Sequence, residues 1–174
     1  MDVPKQILQL IPTTQERSEL LAEIDLLTKS LFQEDEDSFK NVLRNDIGKD
    51  SAGILSHLLE KEESLKQREA FLTSLKEALL ALPLLHLTVA VKPSEAGLEL
   101  LAKKSRSLFA PTVILDIVVD ENIFGGALVS YGGRYADCSL ATKMDDYFAK
   151  IKNQKSHPKG DQPLAEKIKN TVQN

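Results

Sequence analysis

The spacing of apolar residues predicts that the first half of the chain is helical. From Gln15 to Phe32, leucines and isoleucines recur every three or four residues with charged residues between them, which is the pattern of a helix with one buried stripe. Residues 4–11 form a shorter helical segment that Pro12 would close. Thr13 or Thr14 is placed to cap the longer helix, because a hydroxyl oxygen accepts a hydrogen bond from a free N–H of the first turn.

Further helices are predicted between residues 34 and 83. The acidic run 34–37 can be a solvated helix start or a metal-binding loop, and the first is favoured because a calcium loop needs spaced ligands and a glycine turn. Gly48 suits the left-handed position that closes a helix. The stretch Ser51–Leu82 favours one continuous or nearly continuous helix stopped by Pro83, with a bend in its charged section 60–69 as the alternative.

After Pro83 the period changes from helical to extended. The run Leu84–Val91 is short, apolar and partly β-branched, which predicts a buried strand. Ser94 caps the next helix, and Thr112–Val119 reads as a second strand, so the three elements form a β-α-β unit with parallel strands. Two further strands, 127–131 and 134–138, are expected to follow as an antiparallel meander.

Two glycine doublets punctuate this second half. Gly132-Gly133 predicts a tight hairpin turn with positive φ, which glycine adopts without a Cβ clash. Gly125-Gly126 falls between strands, and indicates either a sharp bend or the close approach of another backbone. Ser139 is placed to cap a last helix, 140–152. Its apolar residues are expected to pack on the sheet: Leu140, Met144, Tyr147, Phe148 and Ile151.

These elements predict an α+β fold. An N-terminal helical bundle, residues 1–83, would precede an α/β domain, residues 84–152, built on a small mixed four-stranded sheet with packing helices. Residues 153–174 would follow as a linker and a short C-terminal helix, because prolines and glycine cluster after Lys152.

Composition narrows the classes of partner. The 174 residues are 42% hydrophobic, enough for a core, and carry a net charge of −4 with both signs mixed along the chain. No overall positive field favours nucleic acid or anionic lipid, so neither is an expected partner. A single cysteine and no recognisable leader make the cytosol the default compartment. No apolar run approaches the ~20 residues of a membrane helix, so membrane association would run through a partner.

Candidate chemistry is sparse. His57, His86 and His157 have no partners at metal-ligand spacing, and Cys138 has no neighbouring histidine. Asp137 and Ser139 are better explained as a helix cap than as a catalytic pair. The glycine doublets do not precede the Gly-Lys-Ser/Thr of a phosphate loop. We therefore predict no catalytic residues, no metal and no cofactor, with an enzyme as the less favoured alternative.

One ordered motif resembles a known family. An acidic residue, two apolar residues, Gly-Gly, a strand, a glycine turn and then Asp-x-Ser opening an amphipathic helix resemble the C-terminal region of the delta subunit of F-type ATP synthases, the oligomycin-sensitivity-conferring protein family. The resemblance covers about 71–152 and is strongest after Thr112. Glu121 stands where the family usually has proline, and the family's bundle of about six helices is shortened here. The matching residues are Asp120, Ile123, Phe124, Gly125, Gly126, Val129, Gly132, Asp137, Ser139, Leu140, Lys143 and Met144.

The resemblance implies a non-catalytic peripheral-stalk subunit of a rotary F-type ATP synthase, one that resists rotor torque during proton-driven synthesis. The N-terminal helices, Thr13–Asn45, would contact the catalytic-head subunits, and the α/β part would contact the stalk helices. The protein would then lie at the cytoplasmic face of the cell membrane through the complex. Helical interfaces rather than one reactive residue would carry this function.

Other machines remain as alternatives. Stalk subunits of vacuolar or archaeal-type ATPases and the flagellar-export stator also place an α/β domain after helices, but they begin with one very long helix, which Pro4 and Pro12 disfavour here. A free-standing protein-binding adaptor is the alternative from another class.

Overall fold

The fold combines helices with one open mixed sheet. A computed structural model describes residues 3–33, 38–60, 62 and 64–155, and this part of the chain holds seven helices and four strands. The predicted α+β class is confirmed. In chain order the elements are α1 (Lys5–Leu10), α2 (Thr14–Ser30), α3 (Ser38–Asn45), α4 (Lys49–Leu59), α5 (Leu65–Leu80), β1 (Leu84–Val89), α6 (Glu95–Leu108), β2 (Ile114–Val119), β3 (Ala127–Tyr131), β4 (Arg134–Asp137) and α7 (Leu140–Lys155).

Helix α2 begins where the sequence predicts. The Thr13 hydroxyl accepts a hydrogen bond from the backbone N–H of Gln15, 3.2 Å away, and the Glu16 carboxylate accepts one from the backbone N–H of Thr13 at 3.0 Å. This reciprocal capping box satisfies donors that the first helical turn leaves free. The predicted stripe is buried, since Leu20, Ile24, Leu27 and Leu31 are all less than a tenth exposed.

The single helix predicted for Ser51–Leu82 is wrong, because the chain breaks between α4 and α5. Ser64 opens α5 with a second capping box, in which Gln67 accepts from the Ser64 backbone N–H at 3.0 Å and donates its own N–H to the Ser64 hydroxyl at 3.3 Å. A Ser-x-x-Gln sequence is a start signal for a helix, and it outweighs the charge pairs that suggested continuity.

Gly48 also differs from its prediction. Its φ of −56° and ψ of 140° are extended rather than left-handed, and it stands before the first residue of α4. Its N–H donates to the Glu23 carboxylate of α2 at 2.9 Å. Gly48 therefore opens α4 instead of closing α3.

The sheet has the strand order β2-β1-β3-β4. Strands β1 and β2 are parallel across α6, as the β-α-β prediction requires. Strands β3 and β4 form the predicted antiparallel pair, but β3 lies beside β1 instead of β2, so the meander is limited to that hairpin. The outer edge of β2 is already in use, because the Leu115 N–H donates to the Pro12 carbonyl at 2.9 Å.

Buried apolar residues form two clusters. The first joins α1, α2, α4 and α5, and includes Ile114 of β2. The second lies between α6 and one face of the sheet, and includes Leu85, Val113 and Leu115. The division at residue 83 stays a prediction, and the expected segment 153–174 lies outside the described residues from 156 onwards. Helix α7 continues past the predicted end at Lys152 to Lys155.

Arg106 ties the N-terminal segment to the sheet. Its guanidinium donates to the Leu8 carbonyl at 2.6 Å, to the Ile11 carbonyl at 3.4 Å and to the Val113 carbonyl at 3.2 Å. Partial burial lowers the pKa of this guanidinium by desolvation. Arg106 belongs to α6, which packs on the sheet, and its hydrogen bonds to Leu8 and Ile11 connect α6 to the N-terminal segment.

Among the helices that the structure describes, none combines the length and the apolar character needed to cross a membrane.

Candidate protein-binding site

The glycine doublet at 125–126 brings the β2–β3 connection against the start of α7. Gly125 and Gly126 have φ of 115° and 81°, and the Leu140 N–H donates to the Gly125 carbonyl at 2.9 Å. A Cβ on Gly126 would overlap the carbonyl oxygen of Cys138 and lie 2.9 Å from the Cα of Ser139. Both explanations of the doublet therefore hold: the chain bends sharply, and another backbone approaches closely.

The second doublet forms the predicted hairpin turn. Gly132 and Gly133 have φ of 56° and 77°, which are the left-handed values of a primed two-residue turn, and Tyr131 pairs with Arg134 across it. Neither glycine has another atom near its missing Cβ. This turn needs glycine for its backbone angles, not for space.

Asp120 closes a tight turn after β2. Its carboxylate accepts hydrogen bonds from the backbone N–H of Asn122 at 2.9 Å and from the Asn122 side-chain amide at 2.8 Å, and these bonds lower the pKa of Asp120. The Ile123 N–H donates to the Asp120 carbonyl at 3.2 Å. The turn therefore forms with Glu121 in place of proline.

Asp137 and Ser139 open α7. The Asp137 carboxylate accepts from the backbone N–H of Ser139 at 2.8 Å, and the Thr142 N–H donates to the Ser139 hydroxyl at 3.4 Å. Hydrogen bonds from the Ser139 side chain, the Ser139 backbone and the Thr142 side chain lower the pKa of Asp137. The contacts are those of a helix cap, as predicted.

The prediction that the apolar residues of α7 pack on the sheet is wrong for four of the five, and only Ile151 is partly buried. Leu140, Met144, Tyr147 and Phe148, here called the α7 stripe, are 48%, 49%, 62% and 52% exposed. Helix α6 packs on one face of the sheet, all four residues of the edge strand β4 are exposed, and neither buried cluster of the described residues includes a residue of α7. The amphipathic pattern is real, and its apolar side faces outwards.

Two other large side chains of this region are exposed. Phe124, of the family-like motif, is 87% exposed, and Tyr135 of β4 is 66% exposed. The structure thus brings Gly125, Gly126 and the cap residues together with Leu140, whose Cβ lies 3.9 Å from the position of a Cβ on Gly125. It leaves Phe124 and Met144 open to a partner. The α7 stripe, with four exposed apolar residues on one side of a helix, is the kind of apolar patch that is typical of a protein-binding site.

Comparison with known families decides the assignment. The family model described as ATP synthase delta (OSCP) subunit matches residues 33–151, well over half of the chain. The chain belongs to the ATP synthase delta (OSCP) subunit family. The sequence motif indicated a resemblance from about residue 71, whereas the family model matches from residue 33. The region shared with the family therefore also includes α3 and α4.

Curated delta subunits align over a shorter stretch. ATP synthase subunit delta of Methylobacterium radiotolerans is 39% identical over 57 residues, which are 33% of this chain and 30% of that protein. The same subunit of Rhodopseudomonas palustris strain TIE-1 is 43% identical over 58 residues, 33% of this chain and 31% of that protein. The same subunit of Methylorubrum extorquens strain PA1 is 37% identical over 57 residues, which are 33% of this chain and 30% of that protein. The chain thus spans less than a third of the length of these delta subunits.

One pairing outside the delta-family motif escaped the sequence reasoning. His86 of β1 and Asp116 of β2 are in register, and the His86 Nδ1 lies 2.7 Å from the Asp116 carboxylate. The Thr14 hydroxyl donates to the same carboxylate at 3.1 Å. The sequence did not show this pairing, because the predicted strands Leu84–Val91 and Thr112–Val119, aligned at their ends, would place His86 beside Ile114 rather than Asp116. His157 lies outside the described residues, and within the described part no group of histidine, cysteine and carboxylates could hold a metal ion.

A cleft of about 510 Å³ lies between the starts of α2 and α6. Its polar lining includes Thr13, Glu16 and Ser94, and these side chains already bond within the chain as helix caps. Lys92 and Ile117 also line it. The Thr13 hydroxyl donates to the Glu16 carboxylate as part of the α2 cap, so both groups are used in holding the helix start.

Proposed function

We propose that this chain is a non-catalytic peripheral-stalk subunit of a rotary F-type ATP synthase. The observation that carries the proposal is the exposed α7 stripe in a chain of the delta (OSCP) family. A subunit that links a stator to a catalytic head needs large passive interfaces, because torque is resisted by area and packing rather than by reaction chemistry. In this role the protein prevents the head from turning with the rotor during proton-driven ATP synthesis.

The stalk helices are the proposed partner of the C-terminal part. The α7 stripe offers one continuous apolar side of a helix, and a partner helix would bury it in the manner of helix-helix packing. Phe124 and Tyr135 would extend the same contact beyond the start of α7. In this proposal Asp120, Gly126 and Asp137 fix the backbone at the start of α7 and so orient the α7 stripe. Their role is structural, and the contact with the partner is made by the stripe.

The catalytic head is the proposed partner of the N-terminal helices. We propose that residues 1–83 and 84–152 act as two structural units, with contacts to the head through the first and to the stalk through the second. The contacts of Arg106 with Leu8 and Ile11 support a mechanical connection between them. The protein would be peripheral at the cytoplasmic side of the membrane, held there by the complex. The match to the delta (OSCP) family supports an F-type ATP synthase as the complex, rather than a vacuolar-type or archaeal-type ATPase or a flagellar-export assembly.

Affinity purification from native membranes tests the proposal. A tagged chain is expected to recover head and stalk subunits together. The variant Met144→Glu/Phe148→Glu, which places charge in the α7 stripe, should lose the stalk subunits, because burying an unpaired carboxylate is costly. Ala149→Glu adds the same side chain on another side of α7, at an exposed position, and should leave recovery unchanged. Recovery of unrelated cytosolic enzymes, without head or stalk subunits, would contradict the proposal.

A further inference from the structure

One row of polar side chains crosses all four strands of the sheet. Asp116 of β2 is the register partner of His86 of β1, His86 is the partner of Ser130 of β3, and Ser130 is the partner of Tyr135 of β4. Directly opposed residues of an antiparallel pair point to the same face, with their Cβ atoms about 4.5–5.5 Å apart. The row therefore places a carboxylate, an imidazole, a serine hydroxyl and a phenol side by side.

The row lies on the face of the sheet that points away from α6. Leu85, Leu87 and Leu115 belong to the buried cluster between α6 and the sheet. Side chains alternate between the two faces along a strand, so His86 and Asp116 point to the opposite side. Their side chains are 54% and 36% exposed. A small molecule in solution can therefore reach this row.

The Asp116 carboxylate holds the His86 ring in one orientation. The His86 Nδ1 lies 2.7 Å from one oxygen of Asp116, and the Thr14 hydroxyl donates to the other oxygen at 3.1 Å. An ionised carboxylate can only accept hydrogen bonds, so Nδ1 carries the hydrogen of this contact. The lone pair of the neutral ring is then on Nε2, which is the atom that can take a proton from a neighbouring hydroxyl.

The strand beside His86 supplies that hydroxyl. An aspartate, a histidine and a serine in this order form the arrangement that activates a serine as a nucleophile. Tyr135 lies on the far side of Ser130 and is 66% exposed, so its phenol can donate to an oxygen that becomes negative when a carbonyl is attacked. Two residues further along the same face, Val118 and Leu128 offer apolar contacts for an acyl group.

We propose that Ser130 accepts acyl groups from carboxylic esters, with His86 as its general base, Tyr135 as the oxyanion donor and Asp116 as a positioning residue. The acyl groups are small and apolar, because Val118 and Leu128 are the side chains beside the row. This activity lies beyond the proposed stalk function. It belongs to the free chain, since Tyr135 also forms part of the proposed contact with the stalk.

The reaction needs only an ester and water. Ser130 Oγ bonds to the carbonyl carbon of the ester while its proton passes to His86 Nε2. The bond from that carbon to the alcohol oxygen then breaks, and Nε2 returns the proton to the leaving alcohol. Water next gives a proton to Nε2 as its oxygen bonds to the acyl carbon, and Ser130 Oγ leaves with that proton. The products are an acid and an alcohol.

A fluorophosphonate probe and p-nitrophenyl acetate test the site in the purified full chain. The probe reacts with activated serines and should label Ser130, as located by mass spectrometry of peptides. Nitrophenolate release by the site should fall by about a hundredfold in Ser130→Ala and in His86→Gln, which is the loss expected for a general base. Ser107→Ala, an exposed serine on α6, is the matched control and should keep the parental label and rate. Absence of label on Ser130 would overturn the proposal.

Further variants separate the chemistry from the fold. Ser130→Cys should still accept the acyl group, because a thiol at this place is also a nucleophile. Asp116→Asn should lower kcat by about a hundredfold and leave KM unchanged, because the carboxylate orients the base without touching the ester. Thermal unfolding of each variant is compared with that of Ser107→Ala. Acylation of His86 itself, with Ser130→Ala as reactive as the parent, would overturn the proposal, as would losses of rate that only follow losses of folded protein.

Discussion

Gly126 lies directly against the backbone of Ser139, so close that a Cβ on Gly126 would be 2.9 Å from the Ser139 Cα. This contact fixes where α7 begins relative to the β2–β3 connection, and the positive φ of Gly126 makes the bend possible. The exposed α7 stripe is therefore oriented by a backbone contact that tolerates no side chain.

Gly126→Val is expected to destabilise the fold or displace α7. The left-handed backbone alone costs a branched residue about 1–3 kcal/mol, and the overlap with Cys138 and Ser139 adds to it. Urea unfolding measures the loss, with Gly133→Val as the control, because Gly133 shares the positive φ but has open space around it. Equal losses in the two variants, or a Gly126→Val protein that folds and assembles like the parent, would contradict this view of the doublet.

Arg106→Gln should loosen the junction between the helical part and the sheet. The variant removes charged hydrogen bonds to the carbonyls of Leu8, Ile11 and Val113, and a bond of this kind contributes about 1.5–3 kcal/mol. Hydrogen exchange at the Leu115 amide, which bonds to the Pro12 carbonyl, reports the opening. Lys104→Gln, on an exposed position of the same helix, should change neither stability nor exchange. A parent-like exchange rate in Arg106→Gln would show that the guanidinium is dispensable.

The cap of α7 should make a part of the stability pH-dependent. Hydrogen bonds from Ser139 and Thr142 hold the pKa of Asp137 below its ordinary value. The stabilisation is therefore complete above that ordinary value and is lost as the pH falls through the lower native pKa. An NMR titration should find the Asp137 pKa depressed in the parent and raised towards the ordinary value in Ser139→Ala. An unchanged pKa in that variant would contradict the assigned cause.

Gly53→Ala is expected to stabilise the isolated protein. The substitution replaces a helix-interior glycine at a position with free space, which favours the folded state by about 0.5–1 kcal/mol. Thermal unfolding measures the gain, and Gly97→Ala is a useful comparison because its Cβ would crowd the Ser94 hydroxyl at 3.3 Å. A destabilised Gly53→Ala would mean that α4 needs glycine for its own packing.

Local signals made most of the fold predictable. The Thr13 cap, the leucine stripe of α2, the β-α-β unit and the Gly132-Gly133 turn depend on residues close in sequence, and each appears as expected. The break before α5 was also encoded, by Ser64 and Gln67, but the surrounding charge pairs favoured a continuous helix. The capping box at Ser64 therefore determines where α5 begins, in spite of the charge pairs on either side of it.

The candidate site was less predictable because it depends on which surfaces remain uncovered. The periodicity of α7 identifies an apolar side at Met144 and Phe148, and it cannot say whether the sheet or a partner covers that side. The pairing of His86 with Asp116 likewise depends on strand register rather than on sequence spacing. A sequence pattern can identify an apolar side of a helix, but only the folded structure shows that this chain leaves that side exposed.

The most direct test of the central claim is the rate of proton-driven ATP synthesis in membrane vesicles stripped of this subunit. Stripped vesicles should lose synthesis while their catalytic heads still hydrolyse ATP, and adding back the purified chain should restore synthesis. The Met144→Glu/Phe148→Glu variant should fail to restore it, whereas Ala149→Glu should succeed. Synthesis that is unaffected by removal of the chain, or ATP turnover by the purified chain alone, would contradict the account.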